Sequence, residues 1–236
     1  MKRKPRKDAQ ETRERLLAAA AEVFAEKGFW EATHAEICRK AGANTAAINY
    51  HFTSKENLYV EAWKHSFEQS LAAHSPDGGV APGAPARDRL RGRILAFMQR
   101  MADPNNHEVE IMHREMANPT GLLRNILPQA IEPMLQALRS IVRELLGDGA
   151  GEQQVSFCEM SLMGQCFGPM FHLRRTHMDP KAPRPPGPPL KFSVEEVVDH
   201  ITRFSLAGIG GIREEIRSGR RGVRKPRQRR NRSEEE

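Results

Sequence analysis

The chain has no run of about 18 apolar residues, which argues against a membrane-spanning helix. Its basic start, MKRKPRKDAQETRERLL, has no apolar core and does not read as a secretory signal. Cysteine is scarce: Cys38, Cys158 and Cys166 are an odd and scattered set. Cys158 and Cys166 are eight positions apart in a helical pattern, about 12 Å along the axis, too far for a disulfide. A reducing cytoplasm is the expected location, with no membrane partner. Metal-ligand spacings are missing as well. The nine histidines form no H-E-x-x-H, and there is no C-x-x-C. The fragment AGIGGIR at 207–213 lacks a complete G-x-G-x-x-G and follows a helical rather than a strand pattern. These absences leave no nucleophile with its base, no metal and no cofactor to expect, and so no enzyme. A helical interaction protein or an unrecognised enzyme is the competing class.

What is present is an ordinary globular composition over 236 residues, 39% hydrophobic and 28% charged. The net charge of +7 is concentrated at the ends. Residues 1–7 carry +5 and residues 217–236 carry +6, so the body between them carries −4. A high isoelectric point is therefore weak evidence for a nucleic-acid partner, and any anion-reading surface must come from local placement of a few groups.

The periodicity is helical almost throughout, with no convincing strand and no repeat. Asp8 and Glu11 fit a capping box opening a first helix that Gly28 closes. Thr33 with Glu36 opens a short helix ending at Gly42. Another short helix spans about Thr45 to His51, and Thr53 with Glu56 fits a third box before a longer helix. Residues 75–86 read as a linker, followed by helices near 88–102, 107–117 and 121–127, the last breaking at Pro128. The stretch 129–146 has one apolar stripe closed by Gly147, and 152–175 is apolar on more than one face. The Pro-rich segment 178–190 reads as an extended loop, 194–217 as a last helix, and the basic end as a disordered tail.

The segment GANTAAINYHFTSKENLY at 42–59 carries the strongest chemical signal. Two short helices joined at Gly42 form a helix-turn-helix, and the second has a slim leading face of Thr45, Ala46 and Ala47. A major groove admits a helix of that kind, and the methyl groups suit thymine. Asn49, Tyr50 and His51 can reach phosphates or base edges. Lys55 falls in the first turn of the next helix, where the backbone already favours an anion. Spacing alone equally fits a plain packed helix with Tyr50 or Phe52 in the core.

ATHAEICRKAGANTAAINYHFTSKENLYVEAW, with RERLLAAAAEVFAEKGFWEAT before it, resembles the DNA-binding region of the TetR/AcrR family of bacterial transcription regulators over about residues 11–65. The resemblance implies an all-α fold: an N-terminal three-helix DNA-binding domain at 11–58 after a basic arm at 1–10, then a helical ligand-binding and dimerisation domain at 59–216, then the tail at 217–236. It implies that Thr33 touches a phosphate, that Thr45, Ala46, Ala47 and Asn49 face the groove, and that Tyr50, His51 and Lys55 contact phosphates. Asn49 stands where the family often has Tyr. MHREMANPTGLL at 112–123 and HITRFSLAGI at 200–209 are similar to the CecR-like subgroup. Members act as homodimers on palindromic operators, usually as repressors that a small molecule releases. The expected partners are thus double-stranded DNA, a second copy and an unidentified effector.

Within the second half, Phe97, Met98, Met101, Met112, Met116, Phe157, Met160 and Met163 are the candidate effector-pocket residues, because thioethers adapt to a ligand. The same residues at helical spacing also fit plain core. Gly164, Gly168, Phe171, Ile201, Phe204, Gly208 and Ile212 are the candidate dimer contacts, the glycines allowing close helix approach.

Overall fold

Local capping chemistry sets most of the helix boundaries. In the computed structural model, which describes residues 5–178 and 192–219, these are α1 (Pro5–Glu31), α2 (His34–Ala41), α3 (Thr45–Phe52), α4 (Lys55–Ala73), α5 (Ala86–Ala102), α6 (His107–Ala117), α7 (Ile126–Leu146), α8 (Glu152–Met178) and α9 (Val194–Arg217). The described residues contain no strand. Residues 1–4 of the expected arm, 179–190 of the Pro-rich loop and 220–236 of the tail lie outside them, as does the side chain of Phe171.

The expected box at Thr33 is present. Its hydroxyl accepts from the Glu36 N–H at 3.2 Å, and Glu36 accepts from the Thr33 N–H at 3.3 Å. Gly42 closes α2 in the left-handed region, φ 59° and ψ 39°, which a side chain would strain. Asn44 then caps α3, its side chain accepting from Ala46 N–H at 2.8 Å.

Several expected boundaries are corrected. Helix α1 begins at Pro5 rather than at an Asp8 cap, since proline fits a first helical position. Gly28, at φ 78° and ψ 175°, is not helical and interrupts α1 where expected, and a short helical turn through Phe29 and Trp30 follows the break. Ser54, not Thr53, caps α4, accepting from Asn57 N–H at 3.2 Å, while Thr53 turns the chain at φ 66°. Residues 122–125 form turns rather than a helix, and Pro128 sits in the first turn of α7. Its missing N–H is harmless there, because the first-turn donors have no intrahelical partner.

Two apolar cores follow. The first packs α1 to α4 around Phe24, Ile37, Ile48, Phe52, Leu58 and Trp63, and draws in Ile111 of α6 and Leu123. The second packs α5, α7, α8 and α9 around Leu90, Met98, Val142, Val155 and Val198. Helix α6 lies between them. The boundary expected at 58/59 therefore falls inside α4 and inside one continuous core. No helix among the described residues is long and apolar enough to cross a membrane.

Polar groups seal the junction. Arg114 of α6 donates to the carbonyls of Ala25 and Glu26, just before the Gly28 kink. Tyr59 of α4, 1% exposed, donates to Glu115 at 3.0 Å. Glu115 also accepts from Thr120 N–H and Gly121 N–H, so one carboxylate ties α4 to the turn after α6.

Candidate functional site

Helix α3 turns one face inward and one outward. Ile48 and Phe52 are 0% and 4% exposed and hold α3 against α1 and α4. Thr45, Ala46, Asn49 and Tyr50 lie on the opposite face and are exposed, Tyr50 at 79%. Phe52 is thus core and Tyr50 is not, which separates the alternatives left open by spacing. Ala47 and His51 are half-buried flanks, Ala47 leaning on the core and His51 edge-on to the Tyr50 ring at 4.8 Å.

Two candidates are already engaged. The Thr33 hydroxyl donates to Glu36 at 3.1 Å, so a phosphate would have to compete for its one proton. The Lys55 ammonium lies 4.6 Å from the centroid of Phe29, a cation–π contact, and partial burial lowers its pKa. Lys27 and Lys40 near α2 pair with Glu36 and Glu22. Arg39, which sequence reasoning did not single out, is an exposed guanidinium one turn before Gly42 with no hydrogen bond or ion pair among the described residues. Its signal was only its place at the end of α2.

A cavity of about 180 Å³ opens between α4, α5, α6, α7 and α8. An engineered cavity of about 150 Å³ holds benzene, so this one has room for a small organic molecule. Its walls include Phe97, Met101, Met112 and Met163, four of the eight expected residues. The other four are corrected. Met98, one position from Phe97, is rotated into the second core and is 0% exposed. Met116, Phe157 and Met160 point to solvent at 72%, 53% and 65% exposure. Sequence reasoning missed Trp63 and Phe67, contributed by α4, because it looked for the cavity only among the helices after the linker. It also missed an ion pair in the wall. Arg100 and Glu108 are almost fully buried against each other, with Ser70 and the Phe67 ring also on the guanidinium. Burial pushes the Cys166 thiol, on the α8 wall, up to about 12.

Comparison with known proteins decides what this arrangement is. The C-terminal domain model of the HTH-type transcriptional dual regulator CecR matches residues 86–209, over half the chain, and the model of the bacterial regulatory proteins of the tetR family matches residues 16–62. The chain is a TetR-family transcription regulator. Among curated relatives, the transcriptional regulator SrpR of Pseudomonas putida is 29% identical over 153 residues, covering 63% of this chain and 68% of that protein. CecR of Shigella flexneri is 28% identical over 166 residues, covering 66% and 74%. A TetR-like regulator from Rhodococcus sp. RHA1 superposes with a TM-score of 0.64 at 16% identity, over 85% of this chain and 96% of that one. A regulator from Pseudomonas aeruginosa PAO1 gives 0.64 at 19% identity, over 87% and 92%. At such identities the solved structures show the fold alone. They agree with the all-helical architecture, and the family membership makes this a regulator and not an enzyme.

In this regulator the expected dimer residues divide. Gly164 and Gly168 are exposed on α8, on the same outer side as Phe157, Met160 and Phe167. Phe204, 62% exposed, and Gly208 are outward on α9. A methyl added at any of these three glycines would meet nothing within 4 Å among the described residues outside its own helical turn. Ile201 is the correction: at 2% exposure it belongs to this chain's own second core, one helical turn from Val197 and Val198. Ile212 is half-buried against that same core.

Proposed function

We propose that this regulator is a cytoplasmic homodimeric repressor that reads a palindromic operator with two copies of α3 and leaves it when a small molecule enters the cavity. Thr45, Ala46, Ala47 and Asn49 face the groove. Tyr50, His51, Lys55 and Arg39 meet phosphates, and Thr33 joins them where its capping box opens. The outward faces of α8 and α9 pack on their copies in the partner, which gives Phe157, Met160 and Phe204 a dry surface and uses the space at Gly164, Gly168 and Gly208. Two α3 helices then present themselves about 34 Å apart, one turn of B-DNA.

The observation that carries this reading is the double membership of α4. Its first residue, Lys55, lies beside α3, while Trp63 and Phe67 form part of the cavity wall. Lys55 and Trp63 are separated by about 12 Å of continuous helix. A ligand that favours one position of Trp63 and Phe67 therefore favours one position of the reading unit. Only differential affinity for the two arrangements moves the equilibrium, and a coupling of about 1–3 kcal/mol is usual.

Selection from a random DNA pool, followed by gel-shift titration on the enriched sequence, tests it. Two inverted half-sites with centres about one helical turn apart are expected. Enrichment of no motif, or of a single asymmetric site bound by a monomer, overturns the proposal.

A further inference from the structure

The cavity wall is apolar except for three charged side chains, and these are not equivalent. Arg100 and Glu108 neutralise each other, and the guanidinium is further held by Ser70 and by the Phe67 ring. This pair contributes fixed dipoles but no net charge. Arg93 is different. It is half-buried on the same wall, yet it makes no hydrogen bond and no ion pair with any described residue. Asp77 attracts it, but the Asp77 carboxylate is already held by the Ser75 hydroxyl at 2.8 Å and the Gly79 N–H at 2.9 Å. Partial desolvation lowers the Arg93 pKa, the direction of a cation lacking compensation. A guanidinium remains charged regardless, so Arg93 is a cation in the wall with no hydrogen-bond partner there, its counter-charge being the Asp77 carboxylate in the covering loop.

The position of that charge is fixed by α5. Arg93, Phe97 and Arg100 follow one another at helical spacing along the wall, so Arg93 and Arg100 are about 10 Å apart along the axis. The Arg100 end is closed by α4 and α6. The Arg93 end is covered by the loop after α4, whose Pro76 is also in the wall. Backbone meets backbone there. A methyl on Gly92 would lie 2.3 Å from the Asp77 carbonyl oxygen, and one on Gly78 would lie 2.3 Å from the Gly92 carbonyl oxygen. The cavity thus has an apolar, thioether-rich body with Met101, Met112 and Met163 on its walls, and a cationic end under a tightly seated loop.

We propose that the effector is an amphipathic anion, an apolar body with one negatively charged head group, seated with its head on Arg93 and its body along α5. The inference rests on the reading of this cavity as the effector site. A bidentate or single charge-assisted bond to Arg93 supplies the missing partner, and burial of the body supplies most of the affinity. A neutral molecule of the same shape leaves the guanidinium half-desolvated and without that charge-assisted bond. A cationic one adds repulsion.

Three probes with one chain and different heads test this: decanoate, decanol and decyltrimethylammonium. Binding to the full-length protein without DNA is measured by calorimetry. Quenching of Trp63, which lines the cavity, gives a second readout in a Trp30→Phe background. Decanoate is expected to bind at least about tenfold tighter than decanol, with the cation weakest. Arg93→Gln is expected to bring decanoate down to the level of decanol, and Arg93→Lys to retain part of the preference as a point charge. Unfolding midpoints of both variants establish that they are folded. If decanol binds as well as decanoate, or if Arg93→Gln keeps the preference, the anionic assignment falls while the cavity remains an effector site. If no probe binds by either readout, the cavity is not a ligand site, and both this inference and the release mechanism fail. The operator selection then still tests DNA reading separately.

Discussion

Tyr59→Phe removes one oxygen and leaves the ring contacts in place. In the native fold that ring is edge-on to Phe24 at 4.9 Å and to Phe29 at 5.3 Å, so the packing is preserved. What disappears is the donor to Glu115, with both partners almost fully buried. A hydrogen bond to a charged acceptor is worth about 1.5–3 kcal/mol. Glu115 still accepts from the Thr120 hydroxyl, Thr120 N–H and Gly121 N–H, so the carboxylate is not orphaned and the lower half of that range applies. A loss of about 2 kcal/mol is expected, which for a chain of this length is a fall of about 4–8 °C in melting temperature. Urea unfolding at fixed protein concentration measures it, with an unchanged m-value showing that only stability moved. A double-mutant cycle with Glu115→Ala isolates the pair, and a coupling above about 0.5 kcal/mol is expected. A Tyr59→Phe protein within about 0.5 kcal/mol of wild type refutes the idea that this bond ties α4 to the α6–α7 turn.

Four further outcomes follow from the same geometry. Gly92→Ala puts a methyl 2.3 Å from a carbonyl oxygen, so a loss of about 1–3 kcal/mol and faster proteolytic cleavage near residues 75–85 are expected; resistance equal to wild type contradicts the seated loop. Phe204→Glu places a charge on the outward face of α9 and is expected to shift the protein towards monomer in sedimentation equilibrium, with operator affinity falling in parallel. Native protein is expected to react slowly with a thiol reagent at all three buried cysteines and rapidly once unfolded. Because burial raises the Cys166 pKa to about 12, the unfolded state loses that proton first, so its contribution to stability is present below about pH 9 and is lost as pH rises towards 12. Cys166→Ala is expected to flatten that alkaline slope, read as unfolding midpoints across the range.

Much of the fold was legible because it is written in short-range chemistry. Thr33 with Glu36, Gly42 and Gly147 each act through backbone groups a few residues away, and pattern reading found them. Proline and threonine misled where position within the helix decides the effect. Pro128 breaks nothing in a first turn, and Thr53 is outcompeted as a cap by Ser54, whose hydroxyl reaches the right N–H. On α3 the exposed candidates were legible within eight residues although spacing left Tyr50 and Phe52 open, and at the cavity half of the candidates were legible. In the second half, methionine and phenylalanine look alike in sequence whether they face a cavity, a core or solvent. Which of Phe97, Met98 and Met160 lines the cavity depends on rotations of 100° per residue and on neighbours far along the chain. Trp63, Arg93 and the Arg100–Glu108 pair are defined by such distant neighbours, and no local spacing announces them.

The grip of Arg114 on the carbonyls before the Gly28 kink sets a rule for anyone building hybrid regulators. A transplant that stops in α4 separates Tyr59 from Glu115 and Ala25 from Arg114, and leaves Ile111 and Leu123 facing a foreign surface. A transplant confined to α2, the Gly42 corner and α3 crosses none of these contacts. If α3 is the reading helix, its exposed residues can be exchanged one by one with Ile37, Ile48 and Phe52 kept to hold the unit together, whereas the larger segment that looks like a natural module cannot be cut without breaking the junction.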